Sequence, residues 1–156
     1  MSENLQQRLL TLDDTQYISQ QADWYLDEWK VPREKTFQRL NKSINDNLLF
    51  QVILLKGDRL IAAGGISDEV NLLDYCPEYK TVRYWLARVY TIPEERGKGY
   101  GADLCRYIQS LARTRGHKTL YLYTDTAESL YRRLGWELTE YASMDGRKVA
   151  VMKYTL

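Results

Sequence analysis

A mixed α/β fold is predicted by three observations. Hydrophobic spacing switches between helical and strand periods along the whole chain. Two pairs of apolar runs face each other across tight-turn sequences. A glycine-rich stretch joins a long strand to a helix. With 156 residues, 44% of them hydrophobic and 28% charged, the chain is large enough to bury one core and too short for two, so residues 1–156 are expected to form a single domain.

The elements follow in order. After an opening strand, the segment from Asp13 to Lys30 carries Tyr17, Ile18, Ala22, Tyr25, Leu26 and Trp29 at mostly three- and four-residue steps. Asp13 or Asp14 stands where an N-cap would be, so the segment predicts an amphipathic helix. Pro32 at a first-turn position, with Phe37, Leu40 and Ile44, predicts a second helix ending near "NDN" at 45–47. "LLFQVILLKGDRLIAAGGI" then reads as a hairpin in a largely buried sheet, turning at Gly57-Asp58-Arg59. A polar, acidic loop comes next.

From Thr81 to Ile92, "TVRYWLARVYTI" is rich in β-branched and aromatic residues and predicts a central strand ending at Pro93. Beyond the glycines, Tyr100, Leu104, Ile108 and Leu111 fall on one helical face, in a helix expected to stop near Gly116. "TLYLYT" predicts a strand, "DTAESLYRRLG" a short helix stopped by Gly135, and the remainder a last hairpin turning at Asp145-Gly146. The order is therefore β-α-α-β-β-β-α-β-α-β-β.

Composition excludes several classes. No apolar run approaches the roughly 20 residues that span a bilayer, and "MSENLQQRLL" lacks the basic start and apolar middle of a signal peptide, so a cytoplasmic protein is expected. Cys76 and Cys105 stand apart, without CxxC spacing or neighbouring His, which predicts free thiols and no metal site. A formal net charge of +1 argues against nucleic acid as the main partner. His117, the sole histidine, follows Gly116 and is expected in an exposed turn.

"IPEERGKGYGADL", residues 92–104, is the stretch that points to chemistry. A helix start offers unpaired N–H groups and the positive end of its dipole, and glycine lets an anion approach the backbone closely, so the stretch predicts a phosphate cradle. Arg96 and Lys98 would add side-chain charge. A P-loop is excluded, because GxxxxGK followed by Ser or Thr does not occur. Gly97, Gly99 and Ala102 satisfy the dinucleotide pattern G-x-G-x-x-A, with Asp125 ending the next strand. Against that reading, Pro93-Glu94-Glu95-Arg96 separates strand from glycine, and too little chain follows for the remaining βαβ units.

"TIPEERGKGYGADL" resembles the acetyl-coenzyme A loop of the GNAT superfamily of N-acetyltransferases, with Arg96, Gly99 and Gly101 filling its Arg-x-x-Gly-x-Gly pattern. "AESLYRRLGW" resembles the family's second signature, a tyrosine before a leucine-glycine-aromatic turn. The resemblance covers essentially the whole chain. It implies a mostly antiparallel sheet of about seven strands flanked by about four helices, with the fourth and fifth strands splayed around the pantetheine arm of the cofactor. It further implies that backbone groups of Val89, Tyr90 and Thr91 hold pantetheine, and that the segment Gly97, Lys98, Gly99, Tyr100, Gly101 holds the pyrophosphate with Arg96 nearby.

The implied activity is transfer of the acetyl group of acetyl-coenzyme A to a primary amine of a small molecule or peptide. An alkyl amine has a pKa of about 10.4 and must lose a proton before it attacks the thioester, while the departing thiolate benefits from gaining one. An N–H of the fourth strand can stabilise the oxyanion that develops. Tyr131 occupies the family's tyrosine position and is the expected acid. The general base stays open, because "VRYWLARVY" carries Arg83 and Arg88 and no acid where many relatives carry a glutamate. Asp68, Glu69, Asp74 and Glu78 in the preceding loop read as an ammonium-attracting patch, as a base acting through water, or as solvated surface. Asp125 reads as a cap of the helix it precedes. Trp24, Tyr25, Trp29, Tyr84 and Trp85 read as an aromatic wall of the acceptor groove or as core. Partners are then acetyl-coenzyme A and an amine acceptor, without nucleic acid or membrane and with a homodimer left open. A non-catalytic acyl-coenzyme A sensor of the same fold is the alternative.

Overall fold

A computed structural model describes residues 4–156. One sheet of seven strands runs through the molecule in the order β1-β2-β3-β4-β5-β7-β6. The strands are β1 (Leu5–Leu9), β2 (Phe50–Lys56), β3 (Arg59–Ser67), β4 (Trp85–Thr91), β5 (Thr119–Thr124), β6 (Glu137–Met144) and β7 (Arg147–Thr155). The helices are α1 (Thr15–Trp29), α2 (Arg33–Ile44), α3 (Leu72–Tyr75), α4 (Tyr100–Thr114) and α5 (Glu128–Arg133). Every neighbouring pair of strands is antiparallel except β4 and β5. The four expected helices are present, and α3 is an added single turn in the acidic loop, too short to leave a periodic signal.

The buried faces follow the sequence pattern. Along α4, Leu104, Cys105, Ile108 and Ala112 are fully buried at helical spacing and pack on one side of the sheet with Leu86, Leu120 and Leu122. Each such apolar side chain contributes roughly 1.5–3 kcal/mol of burial. Helices α1 and α2 cover the other side through Tyr17, Ile18 and Leu40 on Ile53 and Leu55. The β2–β3 turn lies at Gly57-Asp58, and the last hairpin turns at Asp145-Gly146, both residues having positive φ as a type I′ turn requires.

Four expectations need correction. The central strand begins at Trp85 rather than Thr81, because residues 77–81 form a 3₁₀ turn that buries Tyr79 against Trp85. Asp14 stands at the N-cap of α1 but its side chain makes no cap bond. It accepts instead from both terminal nitrogens of Arg8, at 2.9 and 2.8 Å, and from the Thr11 N–H at 2.8 Å. Asp125 is likewise not a cap: it pairs with Arg147 at 2.9 Å, while Thr124 Oγ1 accepts the N–H of Ala127, the residue just before α5, at 3.0 Å. His117 is buried, with Nε2 2.8 Å from the Leu48 carbonyl and its ring against the edge of Tyr84.

Two departures from regular sheet position the site. Strands β4 and β5 are paired in register only at Trp85 and Tyr121, so they part beyond that point. Between β3 and β4, Gly64 alone stands opposite Arg88 and Val89, which makes a β-bulge in β4. Arg88 has φ of 61°, in the left-handed region that a non-glycine residue seldom occupies.

Candidate active site at the splayed strands

The glycine-rich segment forms the N-terminus of α4. Gly97 and Gly99 have φ of 78° and 86°, and a Cβ at either would meet nothing within 4 Å, so both face open space. The first bond closing onto the helix runs from the Asp103 N–H to the Gly99 carbonyl, which leaves the first-turn N–H groups of Tyr100, Gly101 and Ala102 to an outside acceptor. A Cβ on Gly101 would come 3.7 Å from Thr91 Oγ1, so the helix start lies directly against the end of β4. Bare backbone N–H groups and the positive end of the helix dipole suit this opening to an anionic group.

The two cations of the segment are already oriented. Arg96 Nε donates to the Thr91 carbonyl at 2.8 Å, and its guanidinium lies 5.2 Å from the Tyr90 ring centre. Lys98 bonds Glu95 at 2.9 Å, and Glu95, 5% exposed, also receives Lys56 at 2.7 Å. Those two ammonium donors hold the Glu95 carboxyl below its ordinary range.

The edge of β4 that faces β5 is open. Because the Ile92 N–H bonds the Ile61 carbonyl across β3, strand alternation turns the Tyr90 main chain toward β3 and leaves the Val89 carbonyl and the Thr91 main chain toward the gap. Tyr90 contributes its ring instead, stacked on Trp24 with centroids 4.9 Å apart and meeting Tyr25 and Trp29 edge-on. The expected aromatic wall thus divides. Trp24, Tyr25 and Trp29 gather around Tyr90, while Trp85 is wholly buried core and Tyr84 packs on His117.

Tyr131 lies on the far side of the gap, 8% exposed, with its ring 6.1 Å from Trp136. Burial raises its phenol pKa well above the ordinary value, and the neighbouring Cys105 thiol adds to the shift. Burial likewise pushes Cys105 up to about 12. The pair is therefore neutral at physiological pH, with Tyr131 a hydroxyl donor.

A cleft of about 840 Å³ opens from this gap, with Tyr131, Val89, Arg88, Trp29, Arg39 and Asp74 among its lining residues. Of the loop carboxylates, Asp68 is paired with Lys42 at 2.8 Å and Glu69 with Arg39 at 3.3 Å. Glu69 and Asp74 line the cleft, and Glu78 lies outside it. Strand β4 carries no carboxylate. Among the described residues, no group of three or more His, Cys, Asp or Glu side chains is placed to hold a metal, and no helix is long and apolar enough to cross a membrane.

Sequence reasoning missed the polar cluster beneath Arg88. Gln51 and Gln21 are buried at 1% and 0% exposure, joined by a 2.8 Å bond, and Gln51 Nε2 also reaches the Tyr25 hydroxyl at 3.2 Å. The available signal was a glutamine inside "LLFQVILL", the one polar side chain in an apolar strand run.

Comparison with known proteins agrees with this geometry. The acetyltransferase (GNAT) family matches residues 18–136. Among solved structures, an acetyltransferase of the GNAT family from Streptococcus pneumoniae superposes with a TM-score of 0.74 at 15% identity, over 98% of this chain and 99% of that one. An aminoglycoside 6'-N-acetyltransferase from Enterococcus faecium gives 0.72 at 13% identity, over 96% of each chain. An aminoglycoside 6'-N-acetyltransferase complexed with coenzyme A gives 0.74 at 14% identity, again over 96% of each. Comparison with curated proteins gives no match. At such identities the likeness concerns the fold; with the family match spanning most of the chain and the glycine segment lying inside it, the protein belongs to the GNAT acetyltransferase family.

Proposed function

We propose that this chain is an N-acetyltransferase that moves the acetyl group of acetyl-coenzyme A to a primary amine of a small molecule or peptide, with both substrates bound together. The observation that carries this reading is the pair of left-handed glycines, open to solvent, at the start of α4 beside the splayed edge of β4. In it, backbone N–H groups from Gly97 to Gly101 hold the pyrophosphate, and Arg96 and Lys98 supply positive charge. The main chains of Val89 and Thr91, with the Tyr90 ring behind them, line the pantetheine arm.

Acetyl-coenzyme A supplies the activated acyl group. The chain's own contribution is to orient the amine, to offer a β4 N–H where negative charge develops, and to deliver a proton from Tyr131 to the departing sulfur. Asp74, which lines the cleft and is not engaged by Arg39 or Lys42, attracts the incoming ammonium. Amine deprotonation passes through water, since β4 offers no carboxylate. A cytoplasmic site of action accords with two free, buried thiols.

That missing carboxylate favours a second reading, an acyl-coenzyme A binder without turnover. Calorimetric titration with acetyl-coenzyme A, and with NADH in parallel, tests the cofactor, and release of free coenzyme A thiol across a panel of amines and peptides tests turnover. Binding of acetyl-coenzyme A alone together with thiol release supports the enzyme; binding without release for any acceptor supports the binder; binding of NADH alone removes both.

A further inference from the structure

Arg88 is a cationic side chain of the cleft that the cofactor site does not use. It lines the cleft, yet its guanidinium bonds only a neutral group: Nε and Nη2 both reach Gln51 Oε1 at 3.3 Å. Among the described residues no carboxylate lies within ion-pair distance of it. The two acids that share its surroundings, Asp68 and Glu69, are engaged by Lys42 and Arg39.

A half-buried charge without a counter-ion is costly, and the fold invests considerable structure in keeping this one. The Tyr25 hydroxyl donates to the Arg88 carbonyl at 2.7 Å and fixes the left-handed backbone. Gln21 and Tyr25 hold the Gln51 amide so that its oxygen faces the guanidinium. Gly65 makes room for that amide: a Cβ there would lie 2.4 Å from Gln51 Oε1. Burial lowers the guanidinium pKa to about 10, so the group stays cationic at neutral pH.

Resting on the acetyltransferase reading of the same cleft, we infer that Arg88 binds a carboxylate on the acceptor, so that the acceptor is an amino-carboxylic acid rather than a simple amine. A single guanidinium backed by a neutral amide matches one negative charge and the planar shape of a carboxylate. A phosphate would call for a second cation beside the guanidinium, and Arg39, its cationic neighbour, is already taken by Glu69 and Asn71.

The test compares free amino acids with their carboxamides and decarboxylated amines, with phosphoethanolamine as the phosphate control. Wild-type protein is expected to use the best carboxylate with kcat/KM about 10- to 100-fold above its amide. Arg88→Asn, chosen because asparagine accepts a left-handed backbone, should collapse that preference mainly through KM while acetyl-coenzyme A affinity stays unchanged. Direct binding gives a separate readout, the Arg88 Nε–H resonance, which should shift with the carboxylate member of a pair and not with the amide. Equal use of acid and amide, a preference that survives Arg88→Asn, preference for phosphoethanolamine, or an Nε–H resonance unmoved by every carboxylate would each overturn the inference. Failure of acetyl-coenzyme A to bind would instead count against the acetyltransferase reading, leaving the resonance experiment to decide the role of Arg88.

Discussion

The Tyr25 hydroxyl, on α1, donates a 2.7 Å hydrogen bond to the carbonyl of Arg88 at the bulge of β4, tying the helix that covers the sheet to the strand that lines the cleft. Tyr25→Phe removes only that hydroxyl, and with it an acceptor for Gln51 Nε2. An orphaned buried carbonyl costs about 1–3 kcal/mol, so the melting temperature should fall by roughly 5 °C. Tyr17→Phe is the matched control. Its hydroxyl bonds the Asp58 carbonyl in an exposed turn, where water can replace it, and the loss should be less than half as large. Thermal unfolding of both variants checks the difference, and equal losses would mean that the bulge does not depend on Tyr25.

Two glycines of the β2–β3 hairpin should behave oppositely in size. Gly65→Ala places a Cβ 2.1 Å from the Phe50 carbonyl oxygen on the paired strand, a clash with backbone that a rotamer change cannot relieve. Overpacking of that kind costs about 3 kcal/mol or more, a fall of roughly 10 °C. Gly57→Ala meets nothing within 4 Å, so only its φ of 62° resists, about 1–2 kcal/mol. Denaturant midpoints for the two variants test the ranking.

At the cradle, Gly99→Glu sets bulk and negative charge where an anion is expected, on an exposed residue facing open space. Acetyl-coenzyme A affinity should fall at least about 100-fold, the sum of steric exclusion and like charge at a helix start, while the melting temperature moves by only a few degrees. Calorimetry on a variant shown to be folded by circular dichroism decides, and undiminished affinity would place the pyrophosphate elsewhere.

What could be read from residues alone tracks how local the cause is. The helices α1 and α4, the turns at Gly57-Asp58 and Asp145-Gly146 and the glycine-rich start of α4 each follow from a short-range pattern, and each appears where that pattern puts it. The start of β4 did not follow, because Val82 to Tyr84 have strand-forming side chains while the burial of Tyr79 on Trp85 holds the preceding turn. His117 was misjudged for the same reason: its neighbours suggest a turn, but the carbonyl that it meets is Leu48, far away in sequence. The seat of Arg88 draws on Gln21, Tyr25, Gln51 and Gly65 from three elements, and no single window of sequence contains it.

Glu95 gives the acid limb of stability a defined origin. Lys56 and Lys98 hold its carboxyl below the ordinary glutamate value, so its contribution is complete above about pH 4.3 and is lost as pH falls through the lower, folded value. Glu95→Gln should therefore lower stability at neutral pH and flatten its decline as pH falls below the ordinary glutamate value of about 4.3. Chemical denaturation at a series of pH values measures this, and parallel acid limbs for variant and wild type would show that Glu95 is not coupled to folding.

Tyr131→Phe separates binding from chemistry. The ring and its packing on Trp136 remain, so acetyl-coenzyme A affinity should stay within about twofold, whereas turnover should fall by about 10²- to 10⁴-fold if the hydroxyl is the proton donor. Because burial raises the phenol pKa, Tyr131 stays protonated past the ordinary tyrosine value of about 10, and its contribution to folding is complete below that pH and lost as pH rises toward the folded value. Wild-type turnover should accordingly show no alkaline loss from Tyr131 between pH 7 and pH 10, while alkaline unfolding, followed by tyrosinate absorbance, should be less steep in Tyr131→Phe. A variant that retains full turnover would remove Tyr131 from the chemistry and leave it as a core tyrosine of α5, in one cluster with Cys105 and Ile108 of α4.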